Sequence, residues 1–217
     1  MYRVFKFIKS LFWQIINSII KICLEIFVIN RRIRRILKGD FAKFYLNKYV
    51  SKAVKQPVEV KEIAEPYRIW QYWEQGLENA PEIVQACLDS VAKYNPDIER
   101  VIISPKNVRE YVNIPDFIYK LKEKGIIKLA QFSDILRTYL LVEHGGCWID
   151  ATVLLTAPLP QYIKDAELFV FKADEKADLD GLNMASYFIS AKPNNRILIQ
   201  CQRFFENYWR ENNFLVN

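Results

Sequence analysis

The stretch from Phe132 to Val153 reads FSDILRTYLLVEHGGCWIDATV, and it uses two of the six glycines in the 217-residue chain. Ser133 is a residue type that caps helices, and Asp134 would lie in a first turn, where the helix dipole favours negative charge. At 100° per residue, Ile135, Leu136, Tyr139 and Val142 fall on one side. Asp134 and Arg137 fall together on the other side, and Leu141 joins them there. Gly145 can end the helix because it tolerates positive φ, and Gly146 then permits a tight turn into CWIDATVLL, read as a strand. With almost no loop between helix and strand, Asp150 is carried close to the Asp134–Arg137 side. A carboxylate in an apolar strand is costly unless a charged or polar group meets it. Singly, each feature has a plain reading: an i,i+3 ion pair contributes only ~0.2–0.5 kcal/mol, and an aspartate can simply end a strand. Two aspartates and an arginine around one turn point instead to a polar cleft for a phosphorylated or hydroxylated ligand.

Working outward, YRIWQYW (Tyr67–Trp73) has the β-rich composition of a first strand. NAPEIVQACLDSVAKYNP follows as a helix, with Asn79 as cap, Pro81 in the first turn, and Ile83, Val84, Cys87, Leu88 and Val91 as the inner stripe. RVIIS is a second strand, two short helical pieces are centred near Val108 and Phe117, and GIIKLA leads into the opening stretch. Strands are expected near ELFVFKA and ASYFISA, and a last helix from about Asn194 to Trp209. Strands alternating with helices imply an α/β sandwich with a mainly parallel central sheet.

The first 65 residues differ in character. They hold 14 Lys or Arg against 5 Asp or Glu, about +9, while the remainder holds 17 against 20, about −3. A nucleic-acid groove would need basic residues across the folded body, so no nucleic-acid partner is expected. Residues 3–29 are apolar with sparse charges, but the longest uncharged run, Ser10–Ile20, is well short of the ~20 residues that span a bilayer. Helical spacing groups Phe5, Phe12, Ile15, Ile16, Ile19 and Ile26 on one broad side, with Lys6, Lys9 and Lys21 placed to meet head groups. The division is therefore 1–38 as a basic amphipathic membrane-associating segment, 39–66 as a connector and 67–217 as the main domain. The segment could instead pack on the domain or a partner, or cross the membrane. Peripheral residence on the cytoplasmic face of the cell membrane is the expectation. No small-residue cleavage site follows the apolar stretch, so a removable signal peptide is not favoured.

Cys23, Cys87, Cys147 and Cys201 stand more than fifty residues apart, with a single histidine in the chain, which fits neither a zinc ribbon nor a disulfide framework. That lone His144, just before the glycines, is assigned to the electrostatics of a helix C-terminus and not to base catalysis.

The combined pattern resembles the sugar transferases of the capsular polysaccharide synthesis family and, more distantly, glycosyltransferases with SDxxR…GGxxxDxD. The matching residues are Ser133-Asp134-Ile135-Leu136-Arg137 and Gly145-Gly146-Cys147-Trp148-Ile149-Asp150-Ala151-Thr152, with IWQYWEQG (Ile69–Gly76) and Ala80-Pro81 as a second match. The resemblance covers roughly Tyr67 to Trp209. It implies a GT-A-like nucleotide-binding sandwich that moves a sugar from a nucleotide-sugar donor, with a UDP-sugar the first expectation, to a capsular or surface glycan. The acceptor is expected to be lipid-linked, and the wider group retains anomeric configuration. Mn²⁺ or Mg²⁺ would neutralise the diphosphate, with Asp150 as the metal and catalytic residue and Thr152 as a weak ligand. Asp134 and Arg137 would hold the donor sugar and orient the site, Trp70 and Gln71 would flank the base, and Gly146 would border the donor. The departure is Thr152, which stands where the wider group has a second aspartate. Relatives also commonly continue past Trp209. Both features favour the alternative, an inactive scaffold subunit that keeps the fold.

Overall fold

The structure, a computed structural model, describes residues 11–20, 22, 31–59, 64–172 and 184–215. Five strands form one mixed sheet in the order β2-β1-β3-β5-β4. They are β1 (Arg68–Tyr72), β2 (Glu99–Ile103), β3 (Gly146–Ile149), β4 (Leu168–Lys172) and β5 (Met184–Ala191). β1 pairs in parallel with β2 on one side and β3 on the other, while β5 runs antiparallel to both β3 and β4. The alternating α/β reading of the sequence thus corresponds to a mixed sheet whose parallel half is β2-β1-β3.

Period-2 alternation sends Trp70 and Tyr72 to one face and Ile69 and Gln71 to the other. Helices cover both faces. The first is packed by α1 (Arg31–Lys55), the short α3 (Val108–Tyr111), α4 (Asp116–Glu123), α5 (Leu129–His144) and α7 (Arg196–Glu211), around Trp70, Trp148, Leu136 and Leu140. The second is packed by α2 (Glu82–Tyr94) and α6 (Gln161–Asp165), around Ile69, Cys147, Ile149, Val91 and Ile163.

Several local expectations are corrected. Asn79 does not cap α2; it closes a 3₁₀ turn (Leu77–Asn79) and donates to Gln75 O at 2.8 Å, and Pro81 occupies the cap position. Ile83 is 73% exposed, because Val84, Cys87, Leu88 and Val91 already fill the arc facing the sheet. α5 starts at Leu129, one turn earlier than a Ser133 cap would give, since Gln131 Oε1 accepts from the Lys128 amide at 3.0 Å and Phe132 is buried. The strand ends at Ile149, so Asp150 follows β3 and does not lie inside it.

The glycine pair acts as the sequence indicates. Gly145 has φ 64° and ψ −154°, a region other residues scarcely enter, and its N–H still donates to Leu141 O. Trp70 Nε1 donates to the Gly145 carbonyl at 2.8 Å and ties the turn to β1. Gly146 has φ 90°, and a Cβ there would come within 2.3 Å of Arg68 O. Its place is therefore set by close approach of β3 to β1. Gly146→Ala combines backbone strain with overpacking against main chain, and should cost about 3 kcal/mol or more. A urea midpoint gives the answer; a loss below ~0.5 kcal/mol, as at an open surface site, would contradict the packing.

The expected boundary at residue 38 falls inside one continuous helix, α1, and the expected connector is helical as far as Lys55. Tyr45, Tyr49 and Ala53 of α1 are buried against α7. Tyr45 OH donates to Asn212 Oδ1 and Asn212 Nδ2 donates to Tyr49 OH, both at 2.6 Å. Burial pushes the Tyr45 phenol up to about 12. Residues 11–20 are helical, with Trp13 edge-on to Tyr45 at 4.8 Å. Of the expected amphipathic side, Phe12, Ile15 and Ile19 are exposed and Ile16 is half-buried. Phe5, Ile26, Lys6, Lys9 and Lys21 lie outside the described residues.

Candidate active site

The carboxyl ends of parallel strands are where open α/β sheets collect ligands. Here the ends of β1 and β3 and the first two turns of α5 enclose a cleft of about 410 Å³, lined among others by Tyr72, Trp73, Glu74, Ser133, Trp148, Asp150 and Thr152. A larger cavity of about 540 Å³ adjoins it and shares Glu74 and Leu129.

Asp150 reaches this place because its amide donates to Tyr187 O at 2.8 Å, which extends the β3–β5 pairing by one residue. Its Oδ1 accepts from Trp148 Nε1 at 2.6 Å and from Arg137 Nη2 at 3.3 Å. The same Nη2 meets Asp134 Oδ1 at 3.3 Å, so the three charged residues gather as the sequence indicates. Arg137 is the hub. Its side chain is only 6% exposed. The guanidinium also donates to the Ser133 carbonyl and hydroxyl and to the Ser186 carbonyl, and lies 5.0 Å from the centre of the Trp148 ring. A guanidinium presents five fixed donors, and here they bind α5, β3 and β5 together.

The two carboxylates face different spaces. Asp150 opens to the cleft. Asp134 is 41% exposed and lines a separate groove of about 280 Å³ with Leu46, Phe204, Tyr208 and Trp209. Burial pushes the Asp134 carboxyl above its ordinary value, the Arg137 charge opposes this, and the Asp150 charge adds to it. Asp134 is thus easier to protonate than a free aspartate despite its cationic neighbour.

The residues expected around a base are placed differently. Trp70 and Gln71 are fully buried, and neither lines the cleft. Trp70 sits in the core against Tyr111, and Gln71 points to the α2 face with neither amide atom hydrogen-bonded. Gly146 is packed against Arg68 and not against the cleft. The residues that do line it lie two to four positions further along, at Tyr72, Trp73 and Glu74. The Trp73 indole N–H is buried without a partner. Glu74 is bound at 2.8 Å by Lys122 from α4, and Tyr72 OH donates to the same carboxylate. The motif IWQYWEQG contained this signal, since ligand contacts gather past the strand end; Lys122, one of two lysines on α4, had none.

Thr152 is exposed at the cleft. Among the described residues no three His, Cys, Asp or Glu side chains gather as a cation site. A hard cation of the Mg²⁺ type is commonly held by one or two carboxylates together with substrate phosphates, and Asp150 with Thr152 fits that limited role. His144 contacts Tyr111 O at 2.8 Å and Trp70, away from the cleft.

The description "capsular polysaccharide synthesis protein" fits residues 23–217, which include every residue of this site. The chain belongs to the capsular polysaccharide synthesis protein family. A search of curated proteins gives no match. Among solved structures, PaToxG Glycosyltransferase is similar at 20% identity and a TM-score of 0.42, over 76% of this chain and 68% of its own.

Proposed function

We propose that this capsular polysaccharide synthesis protein is a glycosyltransferase that moves a sugar from a nucleotide-sugar donor to a glycan acceptor. The observation that carries the reading is Asp150, a carboxylate fixed by a buried arginine at the mouth of a strand-end cleft. Breaking the bond between a sugar and a diphosphate develops negative charge on the leaving phosphate oxygens, and fixed opposite charge lowers that barrier. Asp150 and Thr152 would hold Mn²⁺ or Mg²⁺ against the diphosphate, and the bound cation would neutralise the leaving group. Arg137 supplies permanent positive charge behind Asp150 and keeps its rotamer. Asp134, which faces the second groove, would accept a hydrogen bond from a sugar hydroxyl. Retention of anomeric configuration, which the family resemblance implies, would follow from acceptor attack on the face the diphosphate leaves.

Trp73 takes the aromatic role first given to Trp70. Its ring lines the cleft, its unpartnered N–H faces no protein acceptor, and base–aromatic stacking contributes ~1–3 kcal/mol per base. Trp73→Ala should therefore weaken binding of UDP about 10- to 100-fold by calorimetry. Unchanged affinity would remove Trp73 from the base site.

The test of the whole reading is a panel of nucleotide-sugar donors with mass-spectrometric detection of transferred sugar, repeated across a Mn²⁺ and Mg²⁺ titration. Thr152 in place of a second carboxylate favours one other reading, a scaffold subunit that binds nucleotide without turnover. Tight UDP binding with no product from any donor would select it. Donor hydrolysis without an acceptor product would mark a nucleotide-sugar hydrolase.

A further inference from the structure

Exposed apolar surface is concentrated at one end of the chain. Among the described residues eighteen large hydrophobics are exposed, and eight of them, Leu11 to Val54, lie in the helical N-terminal region. The helix over 11–20 is fixed from one side only, by Trp13 against Tyr45 and by Gln14 donating to Asn213. At 100° per residue, Leu11, Phe12, Ile15, Ile19 and Ile22 fall within about 100° of arc, away from Trp13. All five are exposed, from 44% at Leu11 to 56% at Phe12. The helix therefore presents a continuous apolar stripe to the outside. Scattered single hydrophobics are ordinary, but a stripe of this kind marks an interaction surface.

The charge around it selects the occupant. Residues 1–65 carry 14 basic against 5 acidic side chains, about +9. A second copy would bring the same positive charge against itself, and like charges brought together oppose association. An anionic lipid surface offers both an apolar layer and phosphate head groups. Among the described residues no helix is long and apolar enough to cross a membrane, and a helix with one apolar stripe in a basic region fits a position in the interface.

We propose that the stripe Leu11–Phe12–Ile15–Ile19–Ile22 docks the protein on an anionic bilayer surface, with the basic residues of the N-terminal region meeting the head groups. This does not rest on the transferase reading: the chain can bind vesicles whether or not it transfers sugar.

The test is co-sedimentation of the full chain with phosphatidylcholine vesicles, with and without phosphatidylglycerol, at low and high salt. Binding is expected to need phosphatidylglycerol and to fall with salt. Ile15→Glu/Ile19→Glu places two acids on the stripe and should lower vesicle partition at least ~10-fold, with circular dichroism and UDP binding unchanged. The milder Ile15→Ser/Ile19→Ser should give an intermediate loss. Wild-type failure to bind the anionic vesicles, or undiminished binding by the Glu pair, overturns the proposal. So does a concentration-dependent dimer that the Glu pair abolishes, since a second copy would then be the occupant. Unfolding of both variants overturns it as well, because the stripe would then pack within the chain.

Discussion

Asp150→Asn should lower sugar transfer on the order of 10²-fold or more while leaving the fold intact. Asparagine keeps the shape and one acceptor oxygen, so the Trp148 indole retains a partner. What it removes is the negative charge that Arg137 meets at 3.3 Å and that the cleft presents to a cation or diphosphate. Asp150 is about one-third exposed, so removing its charge leaves Arg137 with Asp134, Ser133 and Ser186 and should barely move stability. The check is a single-turnover assay beside a urea midpoint. A variant retaining more than about half of wild-type activity would place Asp150 outside the reaction, because one oriented charge contact to a transition state is worth far more than twofold.

Arg137→Ala should behave differently, losing both activity and stability. The arginine side chain is almost fully covered and joins α5, the residue that follows β3, and β5 through its bonds to Ser133, Asp150 and Ser186. Truncation leaves the Ser186 carbonyl without its guanidinium and two neighbouring carboxylates without their common counter-charge. Hydrogen bonds to charged groups contribute about 1.5–3 kcal/mol each, and part of that is returned by water at the exposed carboxylates. A loss of about 2–4 kcal/mol is therefore expected, with transfer reduced at least 10²-fold even when assayed well below the unfolding transition. Arg137→Lys keeps the charge but not the fork and should recover part of the stability with little of the activity. A stability change within ~0.5 kcal/mol for Arg137→Ala would reduce the network to an ordinary surface pair. Read together, the two substitutions separate chemistry from architecture: Asp150→Asn isolates the charge at the cleft, and Arg137→Ala moves the residue that holds that charge in place.

The gathering of Asp134, Arg137 and Asp150 was legible because it depends on local rules. An i,i+3 spacing puts two side chains on one part of a helix, and a Gly-Gly turn returns the chain beside that helix with almost no loop. The element order followed from local signals in the same way, as with the β-rich run Tyr67–Trp73 and the helical stripe of Val84, Cys87, Leu88 and Val91. Charge segregation between the first 65 residues and the remainder is likewise a property of the sequence alone.

What the tertiary structure decided is which side of each element meets what. Trp70 and Trp73 are both tryptophans of the first strand by sequence. Only packing against Gly145 and Tyr111 puts the first in the core, and only the end of β1 leaves the second at the cleft. Arg137 was expected to border a polar cleft beside Asp134, but only the approach of β5 buries it and supplies the Ser186 carbonyl from 49 residues away. The division of the two aspartates between separate cavities follows from α7 packing beside α5, which no local pattern encodes. The same holds for α1. Its Tyr45 and Tyr49 are by sequence ordinary members of a connector, and their burial and hydrogen bonds depend on Asn212, more than 160 positions later. Short-range spacing is written in the chain because backbone geometry fixes it. Burial and partner choice depend on contacts between residues far apart in sequence, and those are settled only when the layers close on one another.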